Sequence, residues 1–199
     1  MSKSQFIKLT GWAFILGSFG FITILADSNS LTLAGSVISS ILLAVGMLGL
    51  RARYGENVGG FGRNILLIGV IGMVLLYIVL ASLALMYSFG VLLVILIQAK
   101  GLWILLFGGP AVVLLGLTLF GLAALRSKPM VRLNWLPVFA GIWYPVVYFF
   151  LAGYIFTHNG AYPQQNQTAI QMIFSIQFIA LCVLGFILIT DTRQEMATA

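Results

Sequence analysis

Apolar positions along this chain come in unbroken runs of about 20 residues, set apart by short polar stretches. Four runs stand clear: Leu9 to Ala26, Leu31 to Leu50, Leu136 to Phe156 and Ala169 to Thr190. A hydrocarbon layer of roughly 30 Å asks for about 20 residues of helix, which each run can supply. The 10-residue alternation of a membrane barrel is missing. The pattern therefore predicts an all-α bundle of transmembrane helices, with residues 1–199 as a single polytopic domain.

Between Arg63 and Arg126 the only charged residue is Lys100, and this stretch has room for two helices or three. Loop charge decides between them. With two helices, Lys3, Lys8, Arg51, Arg53, Arg63, Arg126, Lys128, Arg132 and Arg193 share one side and Lys100 stands opposite. Three helices would put basic loops on both faces, against the positive-inside bias. The expected topology is thus six helices with both the N- and C-termini cytoplasmic. Residues Gly90 to Gln98 stay open: they extend helix three, begin helix four, or dip back as a re-entrant piece.

Composition agrees. Hydrophobic residues make up 61% of the chain and charged ones 7%, too few to cover a soluble globule. The net charge of +6 sits almost wholly on the side that the insertion rule makes cytoplasmic, where anionic headgroups attract it, so it implies membrane lipids and no nucleic acid. Lys3 and Lys8 ahead of an apolar run resemble a signal peptide. Ile24 and Ala26 before Asp27 make a poor cleavage site, however, and the first run reads as a retained helix. Cys182 is single and lies within a run, which excludes a disulfide framework.

A weak internal match joins LLAVGMLGLRA (residues 42–52) to LLGLTLFGLAA (residues 114–124). Both stretches close an even-numbered helix, so a duplication would be a parallel repeat of helices 2–3 and 4–5, as in some transporters. Sequences of Leu, Gly and Ala also match by low complexity alone. The segments GMLGLRARYGENVGGFGRNILLIGVIG and LFGLAALRSKPMVRLNWLPVFAGI resemble small multi-pass bacterial inner-membrane proteins of uncharacterised role. That resemblance covers helices two to five. It implies an inner (plasma) membrane location and brings no catalytic residue with it.

Chemistry is conspicuous by what the spans omit. No Asp, Glu, Arg or His lies mid-span, where proton relays and ion pathways need one. His158, in the outer loop THNGAYPQQNQ, has no Cys, Asp or Glu near it, whereas metal sites take three or four protein ligands. A single imidazole can ligate a porphyrin-like pigment, but an exposed loop histidine is the weightier reading, and no cofactor is expected. Ser36, Ser39 and Ser40 lack a base within any span to activate them. With Gly35, Gly46 and Gly49 they read as a packing seam, because small residues let helix backbones approach; Gly109, Gly116 and Ala123 repeat the device. The loop RARYGENVGGFGR has neither phosphate-binding glycine pattern.

What remains is a break, FGGPAVVLLG, which places Gly108, Gly109 and Pro110 within a span. Proline removes a helical hydrogen bond and crowds the carbonyl four residues back. The next helix carries Gly141, Trp143, Tyr144, Pro145 and Tyr148, and the last carries Gln171, Ser175 and Gln177. Together these residues form the candidate ligand pocket, open to the outside and suited to a neutral or amphiphilic ligand. The competing reading is a bend that only serves packing, and it is the stronger, since membrane helices tolerate Gly and Pro routinely. The expected function is accordingly a non-catalytic accessory or packing component that associates with lipid, another membrane protein or itself. The alternative is a facilitator of a neutral or amphiphilic small molecule.

Overall fold

The computed structural model describes residues 2–19, 29–88, 99–130, 133–157 and 167–198. Among the described residues six helices follow one another: α1 (Lys3–Ser18), α2 (Asn29–Tyr54), α3 (Gly59–Ser88), α4 (Ala99–Ser127), α5 (Leu136–Thr157) and α6 (Gln167–Thr198). No strand occurs among the described residues. Among the described residues the stretch between Arg63 and Arg126 holds two helices, not three. Among the described residues five helices are long and apolar enough to cross a membrane, over Val37–Tyr54, Gly59–Val79, Gly108–Ser127, Leu136–Tyr154 and Met172–Thr190. The remaining helix, α1, starts earlier than the run from Leu9 predicts. Its first turn is fixed by Ser2, whose hydroxyl accepts from the Gln5 backbone N–H while the Gln5 side chain accepts from the Ser2 N–H, a capping box. The rest of that expected span, Gly20 to Ala26, lies outside the described residues, as do Asp27, His158, Tyr162 and the ambiguous segment Gly90 to Gln98.

Neighbours in sequence pack as neighbours in space, and α6 closes the ring against α1; α2 also touches α4 and α6 across the interior. Small residues set the approach. On the α1/α2 seam Phe14, fully buried, lies over Gly46, where a Cβ would stand 2.5 Å from the ring. Thr10 fills the space above Gly49, and the Ser39 hydroxyl donates to the Gly17 carbonyl. On the α3/α4 seam Gly69 and Gly116 face each other, a Cβ on Gly116 falling 3.2 Å from the Gly69 Cα. These are the two small-residue stripes that the sequence marks, each turned to its neighbour. Lipid tails are as apolar as leucine, so such close packing, rather than water exclusion, holds membrane helices together.

The pairings also fix direction: Thr10 with Gly49, Gly72 with Val112 and Gly141 with Leu114 each join antiparallel helices. One end of the bundle thus gathers Lys3 and Lys8, the last turn of α2 with Arg51 and Arg53, Arg63, and the last turn of α4 with Arg126. Cations there complement the helix dipoles of α2 and α4. The Arg51 Nε donates to the Arg63 carbonyl at 3.3 Å, clasping the α2–α3 turn, which Gly59 completes at φ +78. Lys100 belongs to the first turn of α4, at the opposite end. Two matched positions of the internal repeat differ in surroundings, Leu43 and Leu50 being buried while Leu115 and Leu122 are exposed; Gly49 and Gly121 are both buried.

Candidate functional site

The break residues sit on the most enclosed span, with 67% of Gly108–Ser127 buried. Helix α4 runs continuously through Pro110. Gly108, Gly109 and Pro110 are buried, and so are Gly141, Tyr144, Pro145 and Gln177; Trp143 and Tyr148 are half-buried and Ser175 is exposed. The Gln171 side chain lies outside the described part of α6. Gly108 meets Tyr148 and Gly141 meets Leu114, pairings that bracket both prolines and bring the weak points of α4 and α5 to a similar depth.

Rings fill the space above the glycines. A Cβ on Gly108 would lie 3.3 Å from the Tyr148 hydroxyl, and one on Gly109 would lie 2.5 Å from the hydroxyl of Tyr77, on α3. Tyr77 is the residue that sequence reasoning missed; its signal was a single polar group in the run MVLLYIVL. Ser40 of α2 is the polar side chain beside it. Gly141 rests against Thr118, whose hydroxyl donates back to the Leu114 carbonyl at 2.8 Å, so α4 and α5 touch through backbone. Tyr144 packs on Phe174 of α6 with ring centroids 5.5 Å apart.

Three polar atoms here are buried without a hydrogen bond: the Tyr77 hydroxyl, Trp143 Nε1 and Gln177 Oε1. The other end of the Gln177 amide is engaged, its Nε2 donating to the Ala140 carbonyl at 2.9 Å. A buried group left unpaired costs roughly 1–3 kcal/mol, so these atoms are places where water or a hydrogen-bonding molecule would be favoured. No group of three or more His, Cys, Asp or Glu comes together among the described residues.

A lateral groove of about 240 Å³ opens elsewhere, between α5 and α6, lined by Leu133, Trp135, Leu136, Phe139, Ile176, Ile179, Ala180 and Val183. Its lining is apolar throughout. An aromatic ladder runs along its α5 wall, Trp135 edge-on to Phe139 at 5.6 Å and Phe139 edge-on to Trp143 at 5.9 Å. Hydropathy alone gives no sign of this groove, since apolar walls and apolar lipid-facing surface read alike. Comparison with family models, with curated proteins and with solved structures finds no match to this chain.

Proposed function

We propose that this protein is a non-catalytic accessory component of the cell's inner (plasma) membrane, with both termini cytoplasmic, that works by associating with lipid, another membrane protein or a second copy of itself. The observation that carries this reading is the contrast between the two packed partners α3 and α4. Of the span Gly59–Val79 only 22% is buried, against 67% of Gly108–Ser127, so α3 turns most of its surface outward while sealing the weak point of α4. Its outward side offers Ile68, Ile71, Leu75 and Ile78, each about half exposed. The positive-inside bias supports the orientation, since the basic end of the bundle belongs in the cytoplasm.

A facilitator of neutral or amphiphilic solutes is the second reading, favoured by the unpaired Tyr77, Trp143 and Gln177 atoms within the bundle. Reconstitution separates the two. In liposomes the accessory component leaves the equilibration of small neutral solutes as slow as in protein-free vesicles. Accelerated movement that Gly109→Leu and Tyr148→Ala each abolish would put the facilitator in its place.

A further inference from the structure

The α5/α6 groove lies beside a basic loop. Arg126 lies in the last turn of α4, Lys128 directly follows that helix, and Arg132 immediately precedes the groove residue Leu133 in sequence; no acidic residue falls between Arg126 and Trp135. Arg126 and Lys128 are exposed. The Met130 N–H donates to Asn134 Oδ1 and Asn134 Nδ2 donates to the Met130 carbonyl, both at 2.9 Å, which ties these two residues together. Lys128 and Leu133 take positive φ angles of 48° and 60°. Non-glycine residues adopt that region only where the surrounding structure demands it, so the backbone is specified at Lys128 and again at the groove residue Leu133.

Depth is marked by Trp135. It is 49% exposed, lines the groove and directly precedes the apolar span Leu136–Tyr154, a position at which interfacial aromatics are enriched. Arg126 and Lys128 lie between the spans Gly108–Ser127 and Leu136–Tyr154 at their shared end, where headgroups are expected, while the apolar walls follow α5 and α6 along the spans. A molecule that is anionic at one end and aliphatic at the other matches both parts.

We propose that the α5/α6 groove is a binding site for an anionic phospholipid, one acyl chain lying against Phe139, Ile176, Ile179 and Val183 and the phosphate held by Arg126 and Lys128. The inference rests on the reading that the protein works by association, and names the lipid class and the place. A zwitterionic lipid fits the walls equally well but gains nothing net from the cations. Each basic residue near anionic headgroups adds about fivefold to affinity.

The test uses the full chain in phosphatidylcholine bilayers containing a minor fraction of lipid brominated on its acyl chain, either phosphatidylglycerol or phosphatidylcholine. Bromine quenches tryptophan only at contact range. The contribution of Trp135 is the difference between the parent and Trp135→Phe, which isolates it from the other tryptophans. Brominated phosphatidylglycerol quenches that contribution at lower mole fraction than brominated phosphatidylcholine, and Lys128→Asn, which suits the positive φ, lessens the preference by about fivefold. Circular dichroism confirms that each variant is folded. Equal quenching by the two lipids overturns the proposal, as does an anionic preference that survives in Trp135→Phe. Absence of quenching by either lipid overturns it too, and marks a groove covered by a second copy of the chain. Each of these failures leaves the accessory reading standing, because that reading is decided by what the protein retains from native membranes and by solute movement in liposomes, not by occupancy of this groove.

Discussion

The Tyr77 hydroxyl of α3 stands over the backbone of Gly109 in α4, so close that a Cβ on Gly109 would lie 2.5 Å from it. Glycine at this position is therefore a receptor for a neighbouring ring. The same holds for Gly108, over which the Tyr148 hydroxyl lies. Adjacent glycines receive tyrosines from opposite neighbours, and the proline that follows them is enclosed. The weak point of α4 is closed by its own bundle, which is the physical basis for reading it as a packing device.

Gly109→Ala should accordingly lower stability by about 1–3 kcal/mol, the usual cost of overpacking. The fall is read as an earlier thermal transition in mild detergent. Pairing it with Tyr77→Ala should cost less than the sum of the single changes, because the clash then has no second member. Pro110→Ala restores a helical N–H and should leave helix content unchanged, since α4 already runs unbroken through residue 110. Strictly additive effects at Gly109 and Tyr77 would show that their contact does not matter.

Gln177 separates polarity from volume. Its Nε2 bonds to the Ala140 carbonyl while its Oε1 is buried and unpaired. Gln177→Leu keeps the bulk and removes the orphan, so stability should change by less than about 1 kcal/mol or rise. Gln177→Ala opens a cavity between α5 and α6 and should cost about 2–3 kcal/mol. Thermal melts of the two variants decide; a larger loss in Gln177→Leu would mean that Oε1 holds a water or ligand that the fold needs.

Topology follows from the charged ends. Cysteines introduced at Asn57 and Lys128, in turns at the basic end, should be shielded from a membrane-impermeant thiol reagent in intact cells, while one at Asn29, where α2 begins at the other end, should react. Asn159 should react as well, though it lies outside the described residues. The background is Cys182→Ser; the native thiol lies 3.0 Å from the Ser18 hydroxyl inside the bundle. Labelling at residue 128 together with residue 29 would overturn the orientation.

Much of the fold was legible because the membrane imposes length. Apolar runs became helices, five of them long enough to span, while the run from Leu9 is described as helix only to Ser18; between Arg63 and Arg126 loop charge separated two helices from three among the described residues. The seams were legible too, since small residues at helical spacing have few uses other than close approach; Gly46, Gly49 and Gly116 all meet a neighbouring helix. Which helix each seam would meet was not. In a soluble protein the apolar stripe points inward, but here core and lipid-facing residues are equally apolar: Leu114 is buried and Leu115 exposed with nothing in their identity to tell them apart. For that reason Tyr77 escaped notice, lying one helix away from the break it covers. Of the candidate residues, Gly108 lies against Tyr148 while Ser175 turned outward, a matter of helix phase that a uniformly apolar surround leaves unset.

The claim at the centre of this account is that the chain works by association. Its most direct measurement is the mass of the particle released from native membranes by mild detergent, taken by native mass spectrometry. The account predicts a mass above 21.6 kDa, resolved into the chain plus retained phospholipid, a second copy, or a partner membrane protein in fixed ratio. A lipid-free monomer of 21.6 kDa that also speeds solute movement across liposomes would contradict it.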